Sequence, residues 1–279
     1  MNQKRVLSPS DPWWQLDLAE VRASREVIWF LFRRDFLSEY KQTVAGPFWF
    51  LLHPLGATVI FTVIFGTFAG LDTQGMPPFL FYHAGLLQWT LLQGTVTGCS
   101  SCLLKHAGLY RKIYFPRLIA PMVELMTQFW RLSLNLLIFI GFYLYFLLGT
   151  DAVLAPGPEL LLLPFLFLVT ALLGTGVGLL LCAISVKYRD VKFILPLALQ
   201  FWMFLSPVMY SNTLVQGRLS SLLALNPTVS LLTATRVAFT GQGSIDLHSL
   251  IYSVSISLAL FMLGVFSFQK AQQTFVDRV

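Results

Sequence analysis

The sequence predicts an all-α integral membrane protein. Three observations carry this. Only 11% of its 279 residues are charged, against about 25% in an average globular chain. Hydrophobic residues make up 56%. Six long runs contain no charge at all, each close to the roughly 20 apolar residues that a helix needs to cross the hydrocarbon core. Lipid is therefore the expected solvent for most of the chain, and residues 1–279 are expected to form one transmembrane domain.

The first forty residues contain no apolar stretch followed by a small-residue cleavage site, so no removable signal peptide is expected. Residues 16–41 mix charges with Val21, Val27, Ile28, Phe32, Phe36 and Tyr40. That segment is too polar to span but apolar enough to lie in the headgroup zone, and it reads as an interfacial helix. A soluble arm packing on a partner is the other reading.

The six runs are 42–71, 73–104, 132–150, 160–186, 193–217 and 247–269. The first opens with Gly46 and Pro47, and Pro54 inside it removes a backbone donor and should bend the helix. Basic residues sort by side. Lys4 to Lys41 precede the first run, Lys105 to Arg117 separate the second and third, Lys187 to Lys192 separate the fourth and fifth, and Lys270 and Arg278 follow the sixth. The loops near Asp72 and between Asp151 and Glu159 have none. Positive charge marks the cytoplasmic side, so both termini are expected there.

Residues 103–117, LLKHAGLYRKIYFPR, place aromatics among four cations. They read as a short helix docking into a partner's groove or as an interfacial loop dipping into lipid. Glu124, Gln128 and Arg131 share one helix face. Ionisable groups at membrane depth cost roughly 2.5–3.5 kcal/mol each on insertion scales, so they should face protein or water. Pairing between helices and a role in a pathway are both open. Residues 186–193, VKYRDVKF, are expected to form a tight turn at the water boundary in which Arg189 and Asp190 have a structural role first and a coupling role second.

Residues 211–246 are apolar, yet one further crossing would put the basic C-terminus on the wrong side. Two half-helices broken at Asn226-Pro227, entering and leaving by the outer face, keep the orientation consistent. Such re-entrant backbone is tolerated where protein or a water-filled cavity covers it.

Several classes are excluded or disfavoured. Cys99, Cys102 and Cys182 lie inside expected spans and read as small buried hydrophobes rather than a disulfide set or metal ligands. The four histidines are scattered and carboxylates are unpaired, which argues against a membrane-embedded enzyme and against a metal site. No G-x-x-x-x-G-K-[ST] occurs, so nucleotide hydrolysis by that route belongs to another chain. The formal charge of +6 sits beside the spans, where it reports orientation rather than nucleic-acid binding.

Read together, FLFRRDFLSEYKQTVAGPFWFLLHP (30–54), IYFPR (113–117), VKYRDVKFILP (186–196), SPVMY (206–210), LNP (225–227) and the tail QQTFVDRV (272–279) resemble the permease subunits of ATP-binding-cassette exporters of cell-surface polysaccharides. That group moves O-antigens, teichoic acids and capsules. The tail departs from the pattern at Gln272, where the family usually has Glu. The six charge-free runs are expected to be six spans. The resemblance implies a homodimer in the bacterial inner membrane, joined to two copies of a separate ATPase that holds ATP and magnesium, with outer half-helices between the fifth and sixth spans. The chain itself would need no cofactor. It also implies that 103–117 is the coupling helix, with Lys105, His106, Leu109, Tyr110, Arg111, Lys112 and Tyr114 as its contact residues.

A lipid-linked glycan presents C–H faces and hydroxyl rims, so an aromatic-lined, weakly charged path suits it. Tyr40, Phe48, Trp49, Trp89, Phe201, Trp202 and Tyr210 are the candidates for that lining. Export of another amphiphile, a drug or a glycan-free lipid, is the alternative within the same architecture. A passive channel would have no need of the docking segment.

Overall fold

The computed structural model describes residues 23–41, 48–106, 108, 116–149, 154–188, 190–214 and 217–276. Leu109, Tyr110, Arg111, Lys112, Tyr114 and Arg189 lie outside the described residues. Helices account for nearly all of the rest, and no strand occurs among the described residues.

The nine α-helices among the described residues follow the hydropathy. Helix α1 is Arg25–Tyr40, and α2 is Phe48–Phe61, which widens into a π-helical turn over Thr62–Phe68. Pro54 lies inside α2, where it withholds a backbone donor. Helix α3 is Pro78–Lys105 and α4 is Ile119–Gly149. A 3-10 turn at Pro158–Leu162 leads into α5, Leu163–Ser185. Then come α6, Val191–Phe204; α7, Arg218–Ala224; α8, Pro227–Thr240; and α9, Leu247–Val276.

Four stretches are long and apolar enough to cross a membrane: Leu51–Phe68, Ile119–Gly149, Pro158–Ser185 and Leu247–Gln272. The other two expected spans are of a different kind. Helix α3 has 28 residues, about 42 Å at 1.5 Å per residue, but Gln88, Thr90, Gln93, Thr95, Thr97, Ser100 and Ser101 dilute its hydropathy. Helix α6 has 14 residues, about 21 Å, and stops short of a full crossing. The third span also begins earlier than its charge-free run, at Ile119 rather than 132, so Glu124, Gln128 and Arg131 belong to its first half.

Packing runs from α9 through α5 and α3 to α4 and α1, with α2 against α3 and α4. The α5–α9 crossing is set by Gly176 and Gly264: a Cβ on Gly176 would stand 2.5 Å from the Phe261 amide nitrogen, and one on Gly264 would strike the Gly176 carbonyl. Small residues are what let two helix backbones approach this closely in lipid.

The two ends of the bundle differ in chemistry. At one, Ser185 donates to the Ser100 carbonyl at 3.2 Å and Arg117 donates to the Gln272 carbonyl. This is where the cations gather. At the other, Tyr143 donates to the Phe239 carbonyl at 2.7 Å, and the Ala155 amide to that of Thr240 at 3.0 Å.

The chain breaks between α7 and α8 at Asn226-Pro227. Asn226 caps α8 by accepting from the Thr228 amide, and Pro227 takes the first helical position, where its missing N–H costs nothing. Trp202 donates to Asn226 at 3.1 Å, and its ring lies edge-on to Trp89, 6.2 Å away. Trp89 stands about 16 Å along α3 from its start. From that depth α8 climbs back until Phe239 meets Phe139, with ring centroids 4.3 Å apart.

Candidate functional site

Two polar stripes face each other between α3 and α4. Helix α3 contributes Thr90, Gly94, Thr97, Gly98 and Ser101, spaced four, three, one and three apart. Helix α4 contributes Glu124, Gln128, Arg131 and Asn135, spaced four, three and four. Each set therefore lines one face of its helix. With His53 and Pro54 of α2 they bound a groove of ≈ 550 Å³. The glycines are where the stripes interlock: a Cβ on Gly98 would stand 2.8 Å from Glu124 Oε2, and one on Gly94 would overlap the Gln128 amide.

The basic end of the groove closes on an ion cluster. Lys105 Nζ lies 2.6 Å from Glu124 Oε1 and 3.1 Å from Asp35 Oδ2. Arg34 grips Asp35 Oδ1 through Nε at 2.9 Å and Nη2 at 2.6 Å. The same Nη2 lies 3.2 Å from His106 Nδ1. Helix α1 is thereby tied to the end of α3 and the start of α4. Beneath the cluster Ile28, Leu31 and Phe32 pack on Ile119 and Val123.

Burial by itself would raise the Asp35 pKa, but the Arg34 hydrogen bonds and the Lys105 charge outweigh it and hold the carboxyl below the usual range. Burial pushes His106 the other way from charging, below its ordinary value, against the pull of Asp35. His106 is therefore neutral at pH 7, free to accept from Arg34 at Nδ1. Ligand atoms of Asp35, His106 and Glu124 lie within 4.8 Å of one another, a spacing that also suits a metal ion. The Lys105 ammonium already bridges the two carboxylates, and together with Arg34 it balances their charge.

Of the residues expected to contact an ATPase, Lys105 and His106 are described. His106 is 1% exposed, enclosed where α1, α3 and α4 meet, while the Lys105 side chain is 40% exposed and pairs with Asp35 and Glu124. Glu124 pairs across helices with Lys105 and also lines the groove.

The aromatic candidates scatter. Trp89 is buried and packs on Trp202, and Trp202 is committed to Asn226. Phe201 is 62% exposed. Tyr210 donates to the Phe204 carbonyl at 3.3 Å. Tyr40, Phe48 and Trp49 lie on α1 and α2, and their side chains are outside the described set. Asp190 is exposed and its carbonyl accepts from the Phe193 and Ile194 amides.

Two residues escaped sequence reasoning. Asp35, central to the cluster, sits in a run whose charges resemble an ordinary solvated face. Arg236 is 5% exposed inside α8, its guanidinium carbon 3.7 Å from the centre of the Phe81 ring and its Nη2 2.8 Å from the Val208 carbonyl. A lone cation in the apolar run after Asn226-Pro227 was the available signal.

Chemically, the groove offers hydroxyls, amides and a few charges in a largely apolar body. That suits many weak hydrogen bonds to a polyhydroxylated chain, and the lining carries no nucleophile paired with a base.

A family model described as ABC-2 type transporter matches residues 26–240. The chain is 25% identical over 262 residues to an O-antigen export system permease protein RfbA of Myxococcus xanthus, covering 93% of this chain and 98% of that protein. An RfbA permease of the same description from Klebsiella pneumoniae is 21% identical over 235 residues, 84% of this chain and 88% of its own length.

Proposed function

Because the chain belongs to the ABC-2 type transporter family, we propose that it is the membrane subunit of an ATP-driven exporter carrying a lipid-linked polysaccharide outward across the bacterial inner membrane. The polar groove between α3 and α4 carries this reading. Conduction needs contacts favourable enough to admit the cargo and weak enough to release it. Thr90, Thr97, Ser101, Gln128 and Asn135 supply such contacts, and the charges there are largely spent on one another. The relatives' description as O-antigen export permeases supports a glycan as cargo.

In this reading two copies of the chain, each with six crossings and cytoplasmic termini, enclose the path, and two ATPase subunits supply energy. Segment 103–117 is the lever. It includes Lys105 and His106, so force applied to it reaches the floor of the groove and α1 through the ion cluster. Helices α7 and α8 form the outer re-entrant element. Phe201 and Tyr210, with Trp49, remain candidates for stacking on sugar faces.

The test replaces groove hydroxyl and amide groups by near-isosteric apolar ones, Thr97→Val and Gln128→Leu, in cells that depend on this chain for surface glycan. Surface polysaccharide should fall while membrane abundance and copurification of the ATPase are retained. Unchanged surface glycan would remove the groove from the path, and purification without any ATPase would refute the transporter assignment.

A further inference from the structure

Helices α1 and α4 part as they leave their shared core. Ile28, Leu31 and Phe32 hold them together at one end, while further along they are bridged by Phe36 standing edge-on to Trp130, with ring centroids 5.7 Å apart. Between these points lies a cavity of ≈ 730 Å³ whose walls are apolar except for Arg33 and Ser133. Met122 and Met126 line its α4 side, and unbranched thioether chains adapt to irregular guests.

We infer that this groove holds the acyl chain of an anionic glycerophospholipid, with Arg33 against its phosphate. Two observations select that occupant. The groove is continuous with the exposed apolar face of α4, where Phe129 is 36%, Leu137 65% and Leu144 47% exposed, so a lipid lying along that face reaches the groove without leaving the bilayer. Arg33 is exposed, lines the groove and has no ion-pair partner among the described residues. Among the described residues its charge is thus unpaired, at the basic end of the bundle, where a headgroup would sit. Trp29 and Trp130, 58% and 42% exposed, flank the opening as amphipathic rings do at the headgroup level. A bound lipid would brace α1 against α4 beside the ion cluster. The inference requires only that the chain spans a membrane and stands apart from the identity of the cargo.

The full-length chain, copurified with its ATPase, is reconstituted into vesicles in which either phosphatidylglycerol or phosphatidylcholine carries a photoreactive acyl chain. One cation near the membrane surface contributes about 1 kcal/mol, so labelling of residues 122–133 should favour phosphatidylglycerol about fivefold. Arg33→Gln, a surface change that leaves the core intact, should bring the two lipids level. Met126→Trp should fill the groove and abolish labelling there with both, while labelling of residues 137–148 persists. Equal labelling by the two lipids in the unmodified protein would overturn the inference, as would a preference that survives Arg33→Gln. Label that is uniform along α4, or lost when the ATPase is bound, would equally overturn it.

Discussion

Lys105 Nζ and Glu124 Oε1 lie 2.6 Å apart, joining the last turn of α3 to the first turns of α4, with Glu124 only 4% exposed. Removing the ammonium leaves Glu124 and Asp35 facing each other without it. Loss of one partner of a buried pair costs about 3–5 kcal/mol, and the Lys105 side chain is 40% exposed, so solvent softens the effect. We expect Lys105→Met to cost about 2 kcal/mol, seen as a lower thermal midpoint in detergent. Lys105→Met combined with Glu124→Leu should recover most of the loss, because the stranded charge goes too. Equal and additive losses would show that the two residues are not coupled.

Acid should act on this cluster in two steps. An unfolded histidine gains its proton near 6.5, whereas buried His106 resists until lower pH. Below 6.5 the unfolded chain therefore binds the extra proton and stability falls as pH falls. Asp35 has the same sign in a lower window: its folded pKa lies below 3.8, so its contribution is intact above that value and is lost on acidification through the folded pKa. The thermal midpoint should be flat above about pH 7 and decline from there. His106→Gln should remove the upper part of the decline and Asp35→Asn the lower part. A profile unchanged in both variants would show that neither group is held as described.

Much of this was legible in the sequence where one-dimensional pattern suffices. Charge-free runs locate helices because lipid demands them, and Asn226-Pro227 marks a helix start because its capping chemistry is local. The ion cluster was not legible. Asp35, Lys105 and Glu124 are far apart in the chain, and each looks like an ordinary helix-surface charge until α1, α3 and α4 meet. The burial of His106 was hidden for the same reason, since it depends on Leu31 and Phe32 of α1 packing on Ile119 and Val123 of α4. The polar stripe of α3 was also hidden, since uncharged Thr, Gln and Ser leave a run charge-free while lowering its hydropathy.

The α5–α9 crossing predicts a steep positional contrast among glycines. Gly176→Ala must push a methyl group to within 2.5 Å of the Phe261 amide nitrogen, against backbone on both sides. Overpacking of this sort costs about 3 kcal/mol or more, and we expect loss of the folded protein on size-exclusion in detergent. Gly141→Ala, which meets nothing within 4 Å, should be neutral or stabilising by up to about 1 kcal/mol through helix propensity. Similar behaviour of the two variants would mean that α5 and α9 are not in backbone contact.

Arg236 ties α8 to the turn after α6 with no carboxylate paired to it among the described residues. Its guanidinium donates to the Val208 carbonyl at 2.8 Å and the Tyr210 carbonyl at 3.4 Å while stacking on Phe81. Gly85 makes room, since a Cβ there would stand 2.9 Å from Arg236 Nη2 and 3.0 Å from the Val208 carbonyl. Arg236→Met should strand the Val208 carbonyl at a cost of about 1–3 kcal/mol. Arg236→Lys should rescue little, because an ammonium lacks the planar fork that reaches two carbonyls and stacks. Gly85→Ala should displace the same guanidinium, so Gly85→Ala with Arg236→Met should lower the thermal midpoint no further than the worse single variant. Full additivity would instead mean that the glycine and the arginine act at separate places, and the attachment of α8 to the 206–210 turn would need another cause.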